Sequence, residues 1–146
     1  MPIPVIITIS GTQQYAQEEP ETLEFVTEGE YTFEPGFASF SYTETEMTGM
    51  PGVRTTFTIE DGSRVTLIRA GAVNSTMVFE VGKKHEALYD LGVGGLLLGL
   101  SARHIGALLN ERGGIFDLSY AIELEQSAQG FNSYHVEIKP RQEDAP

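Results

Sequence analysis

The sequence predicts an all-β fold, an antiparallel up-and-down β-barrel of about 8–10 strands. Three observations predict it. Apolar and polar residues alternate along nearly the whole chain, the period of a strand with one dry face and one wet face. Turn-forming pairs punctuate that alternation at short intervals. So many strands also need their edges managed. Closure into a barrel does this, whereas a Greek-key sandwich needs at least one long connection, and none is visible.

The elements follow in order. Over 3–14, Val5, Ile7 and Ile9 alternate with Ile6, Thr8 and Ser10. Over 21–34, Leu23, Phe25, Tyr31 and Phe33 share one parity, and Glu24, Glu28 and Glu30 the other. Pro35-Gly36 precedes a strand over 37–47, and Pro51-Gly52 one over 53–60, where Phe57 and Ile59 alternate with Thr56, Thr58 and Glu60. Asp61-Gly62 is the sharpest turn signal, because a type I′ hairpin needs positive φ at both central residues. Val65 and Leu67 then mark a strand over 63–70, Met77, Phe79 and Val81 one over 75–81, and a further strand is expected over 84–91.

Residues 95–111 read two ways. Leu96, Leu97, Leu98, Leu100, Ile105, Ala107, Leu108 and Leu109 suit one face of a helix, but Gly94, Gly95, Gly99 and Gly106 would each cost it about 1 kcal/mol. Two short strands, 95–102 and 104–111, are therefore expected. The last two strands fall over 114–126, with Phe116, Leu118, Tyr120, Ile122 and Leu124 on one parity, and 131–139, with Tyr134, Val136 and Ile138.

The 146 residues suit one domain over 1–140, followed by a short, flexible acidic tail over 141–146. Nine Lys and Arg stand against 21 Asp and Glu, a net charge of -12. Nucleic acid is not an expected partner, since phosphate binding needs a basic face. Without Cys there is no disulfide, thiolate metal site or Cys nucleophile. No stretch reaches the roughly 20 apolar residues of a membrane-spanning helix, and the start of the chain lacks the features of a signal peptide. A cytoplasmic protein that does not bind membranes is the expectation.

Two segments carry a family resemblance. One runs Leu23-Glu24-Phe25-Val26-Thr27-Glu28-Gly29 and continues at Phe40-Ser41-Tyr42-Thr43-Glu44-Thr45-Glu46-Met47-Thr48-Gly49-Met50. The other spans Val65 to Glu80, with the pattern Arg69-x-Gly71-x-x-Asn74-Ser75-x-Met77-x-Phe79, and continues through Gly82-Lys83-Lys84-His85. The chain resembles the YwiB-like family of bacterial domain-of-unknown-function proteins from its first strand to Lys139. That resemblance implies a calycin-like (lipocalin-like) barrel in the bacterial cytoplasm and implies no activity. The chain lacks the Gly-x-Trp of lipocalins and the Arg-x-Tyr pair of fatty-acid-binding proteins, so the shape can be shared without the ligand chemistry.

Arg69 is the most informative candidate residue. It shares parity with Val65 and Leu67, so a regular strand aims it inward, where a guanidinium needs a partner. It could anchor a carboxylate or phosphate. It could equally be structural, paired with a Glu or capping the turn over 71–74. Arg54 lies on the wet parity of Thr56 and Thr58. With Arg69 and Arg54, the residues Tyr42, Phe57, Met77 and Phe79 are the candidate ligand-binding set, for a small apolar or amphipathic anionic ligand. The alternative is a structural or protein-interaction barrel with a packed core, which binds a protein partner or its own copy. Glu28, Glu44 and Glu46 could cluster if their strands are neighbours. His85, His104 and His135 match no metal motif. No elbow, phosphate loop or dinucleotide fingerprint is present, so neither catalysis nor a cofactor is expected.

Overall fold

A computed structural model describes residues 2–15, 19–45, 51–90, 95–124 and 128–141. Ten strands form one antiparallel sheet. They are β1 (Ile3–Tyr15), β2 (Glu21–Glu34), β3 (Phe37–Thr43), β4 (Arg54–Glu60), β5 (Arg64–Ala70), β6 (Ser75–Glu80), β7 (Lys84–Asp90), β8 (Gly95–Asn110), β9 (Gly113–Leu124) and β10 (Ala128–Pro140). The order is β6-β5-β4-β3-β2-β1-β10-β9-β8-β7. The first and last strands therefore pair, from Val5↔Pro140 to Tyr15↔Gly130. The sheet curls so that β6 and β7 become its facing edges, and the isolated bridges Glu80↔Lys83 and Val81↔Ala102 bring them together. The result is a nearly closed up-and-down barrel, as the alternation predicts.

Alternation decides which residues fill it. Val5, Ile7 and Ile9 of β1 are buried, as are Phe57 and Ile59 of β4, Val65 and Leu67 of β5, and Met77 and Phe79 of β6. Opposite them lie Phe116, Leu118 and Tyr120 of β9 with Val136 and Ile138 of β10. The outward positions Glu24, Glu28, Glu30, Glu60 and Lys139 are exposed. No helix is long and apolar enough to cross a membrane.

The structure corrects the reading of 95–111. Neither two strands nor a helix forms there. Leu98, Leu100 and Ala102 point inward on even numbers, whereas Ile105, Ala107 and Leu109 pack on the core with odd numbers. The register against β9 slips between Ala102 and His104. This β-bulge at Arg103 inserts one residue and flips the parity, so a single long strand looks broken in sequence. The third strand also ends earlier than expected, at Thr43. Its expected extension over 46–47, the glycines Gly92 and Gly94, and tail residues 142–146 lie outside the described residues.

Asp61 and Gly62 have φ of 52° and 66°, and Ser63 N donates to Glu60 O at 3.0 Å, as a type I′ turn requires. Gly29, on the inward parity of β2, permits a close approach. A Cβ there would press into the Ser41 carbonyl oxygen and come within 2.6 Å of Ile7 Cδ1. Gly29→Ala is expected to destabilise the fold by about 1–3 kcal/mol in urea unfolding. Gly11→Ala is expected to be near neutral, since its Cβ would meet the Tyr134 ring at an ordinary 3.6 Å. Equal midpoints for the two variants would contradict the packing described.

Candidate functional site

The interior of β2–β6 is built in rows of residues paired across neighbouring strands. One row is Tyr31, Phe40, Phe57, Leu67 and Met77. The next row is Gly29, Tyr42, Thr55, Arg69 and Ser75. Within one step along the strands the wall changes from apolar to polar.

The apolar row is filled. Phe40 and Phe57 stack with centroids 4.9 Å apart, and Phe116 from the opposite wall meets each edge-on at 5.9 Å. Phe79 packs on Tyr120 at 4.4 Å. Phe57, Met77 and Phe79 are 0%, 3% and 0% exposed, so three of the expected ligand-binding residues are core.

The polar row leads to a network. Glu44, just past β3, is buried, and Thr55 Oγ1 donates to its Oε2 at 2.5 Å. Its backbone continues the β3–β4 hairpin, with Glu44 N donating to Val53 O at 2.7 Å and Gly52 N to Glu44 O at 3.0 Å. Tyr42 also hydrogen-bonds the Glu44 carboxyl group. Arg69 stands opposite Thr55 in register and is half-buried. The turn after it is closed by Asn74, whose Oδ1 accepts from Gly71 N and whose Nδ2 donates to Gly71 O, so Arg69 is not its cap. On the far wall Asn132 Nδ2 donates to the Tyr120 hydroxyl at 3.0 Å, and Tyr120 also hydrogen-bonds Tyr134.

Burial pushes the Tyr42 hydroxyl well above the usual phenol range, with Glu44 and Tyr134 adding to the effect and the Arg69 charge opposing it. Burial does the same to Tyr120; Tyr134 adds to the rise, and the Asn132 hydrogen bond and Arg69 oppose it. Arg69 thus acts on hydroxyls of both walls, and Tyr42, Glu44, Thr55, Arg69 and Ser75 on one wall with Tyr120, Asn132 and Tyr134 on the other make up one polar cluster. Two of its buried atoms, Ser75 Oγ and Asn132 Oδ1, have no hydrogen-bond partner among the described residues. A buried polar atom without a partner costs about 1–3 kcal/mol.

The cluster sits at the end of the barrel where β1, β3, β5, β7 and β9 finish. The opposite end has the tight turns 35–36, 61–63, 81–83 and 111–112. There Tyr31 donates to Asn110 O at 2.7 Å, and burial pushes its pKa up to about 12.

The expected residues do not all converge. Arg69 and Tyr42 share the polar end, with Phe57, Met77 and Phe79 beside it. Arg54 is on the outer face, bonded to Glu30 at 2.9 Å and Ser41 at 2.8 Å. Of the three carboxylates that could have clustered, Glu44 points inward and Glu28 outward to Arg141 at 2.9 Å. Glu46 lies outside the described residues. His85 pairs with Glu80 at 3.0 Å and His135 with Asp117 at 2.6 Å. Among the described residues no group of three or more His, Asp or Glu side chains is placed to hold a metal ion.

Thr55, Ser75 and Asn132 join the site although no motif in the sequence marks them. Each is a polar residue on an inward parity near a strand end, and that was the available signal.

A family model described as a domain of unknown function (DUF1934) matches residues 7–138. None of the curated proteins matches the chain. Among solved structures, the crystal structure of the ywiB protein from Bacillus subtilis is similar, with a TM-score of 0.74 and 24% identity over 93% of this chain and 92% of that one. At that identity the likeness concerns the fold.

The hydroxyls of Tyr42 and Tyr120 yield a prediction. Unfolded tyrosines ionise near pH ~10, whereas these stay neutral in the fold, so stability is full below that pH and falls as pH rises above it. The phenolate absorbance of the folded protein should lack their contribution until alkaline unfolding, and Tyr42→Phe should leave the folded-state step unchanged. A full step from all 6 tyrosines before unfolding would contradict the burial.

Proposed function

The chain belongs to the DUF1934 family of domains of unknown function, and from its own geometry we propose that it is a non-catalytic barrel that binds a small ligand at the polar end of its interior. One observation carries this reading. Ser75 Oγ and Asn132 Oδ1 are buried without hydrogen-bond partners in the same cluster as Arg69. Structural polar networks are satisfied, whereas a binding site holds groups in reserve. Arg69 and Tyr134 are only half-buried, so solvent reaches the cluster. The filled centre leaves no room for an apolar tail unless the Phe40–Phe57–Phe116 rings move. The ligand is therefore a compact polar group seated beside the rings, with Arg69 as its anchor. An acidic, cysteine-free chain suits a reducing cytoplasm, where we place its action.

The second reading is a packed barrel that acts through its outer face, on a protein partner or a second copy. The filled centre favours it, as do Leu88 and Leu97. These face each other across β7 and β8 and are 61% and 47% exposed. On this reading light scattering detects a dimer and no ligand is retained.

Native mass spectrometry of the protein purified from its own host separates the two. The binding reading predicts a retained non-peptide mass, lost in Arg69→Met and kept in Arg64→Met, whose arginine is exposed. Arg69→Met is also expected to cost about 1–3 kcal/mol of stability, against about 0.5 kcal/mol or less for Arg64→Met. Equal stabilities and no retained mass in either variant would defeat the proposal.

A further inference from the structure

The geometry points to a ligand with an uncharged head group that both donates and accepts hydrogen bonds, a primary amide or a close relative, in place of the anion that an inward arginine first suggests. This inference rests on the binding reading above and specifies its ligand class.

Charge balance comes first. An arginine alone inside a barrel is an anion site. Here Glu44 is 4% exposed, and Thr55 links it to the Arg69 row, since Thr55 holds the Glu44 carboxyl group and faces Arg69 across β4 and β5. Glu44 and Arg69 thus place opposite formal charges on either side of Thr55. They also act with opposite sign on the same Tyr42 hydroxyl. An anion entering beside Arg69 would also feel the buried Glu44 carboxyl group held by Thr55, and repulsion in a buried setting is poorly screened. A cation would meet Arg69. An uncharged group meets neither penalty.

The reserve groups then specify polarity. Asn132 keeps its Nδ2 on Tyr120 and leaves Oδ1, a pure acceptor, without a partner among the described residues. It needs a donor, which a carboxylate lacks. Ser75 Oγ, beside Arg69 in register, can donate to or accept from the same ligand. An amide supplies N–H to Asn132 and a carbonyl oxygen to the Arg69–Ser75 side. Aromatic walls flank the cluster. Tyr134 is half-buried against Phe57 at 5.7 Å, and Phe25 meets Tyr42 edge-on at 6.0 Å. These ring faces and edges suit an aryl or planar body on the ligand.

Benzamide, benzoate and benzylamine share one ring and carry a neutral, an anionic and a cationic head. Titration of each into isotope-labelled protein, followed by amide chemical shifts, tests the assignment. Benzamide is expected to bind at least about tenfold more tightly than the other two, with the shifts centred on Ser75, Asn132 and Arg69. Glu44→Gln is expected to reverse the order in favour of benzoate, because the compensating charge is gone. Should that variant fail to fold, Asn132→Leu is expected to lose benzamide affinity by about tenfold and leave benzoate unchanged. Benzoate binding the native protein as tightly as benzamide would overturn the neutral-head assignment and leave the interior site standing. No binding by any of the three would overturn the site as well.

Discussion

The stacked rings of Phe40 and Phe57, with Phe116 edge-on to both, decide what the rest of the barrel can be. A small barrel has a narrow interior, and side chains either fill it or leave a cavity. Here three rings from β3, β4 and β9 meet at its centre. They join the two walls and are among the largest fully buried side chains of the barrel. They also act as a floor. Whatever happens at the polar end happens above a dry layer, and the neighbouring row can be polar because the core is complete without it.

That neighbouring row is costly on its own terms. It and the wall facing it take a carboxyl group and two tyrosine hydroxyls out of bulk water and half-bury a guanidinium and a third tyrosine. Hydrogen bonds offset part of the cost. Thr55 and Tyr42 hold Glu44, and Asn132 and Tyr134 hold Tyr120. Ser75 Oγ and Asn132 Oδ1 are left over. Proteins break such local rules mostly where function asks for it. A structural plug at the end of a barrel gains nothing from atoms held without partners, and a ligand site gains its specificity from them.

The fold was legible because one property, period-two alternation, decides both secondary structure and which face is buried. Parity alone placed Arg69 inward and Arg54 outward. It failed at β8, where the bulge at Arg103 exchanges even for odd positions and makes one strand resemble two. The site was only partly legible. Glu44 shares parity with Phe40 and Tyr42, Thr55 with Phe57, Ser75 with Met77, and Asn132 with Tyr134. Each is a polar residue on an apolar parity, visible singly. Their convergence depends on which strands pair and on β9 and β10 lying across the barrel from β3–β6. Contacts between residues so far apart in the chain leave no mark in the alternation of either strand.

The polar end is proposed to hold hydrogen-bonding groups in reserve for a ligand above a filled core. An atomic-resolution crystal structure of the protein taken from its own host tests this most directly. A bound non-protein group is expected within hydrogen-bond distance of Ser75 Oγ, Asn132 Oδ1 and the Arg69 guanidinium, with the Phe40–Phe57–Phe116 rings in place. If Ser75 and Asn132 are instead satisfied by neighbouring side chains or single waters and no other group is bound there, the claim is contradicted.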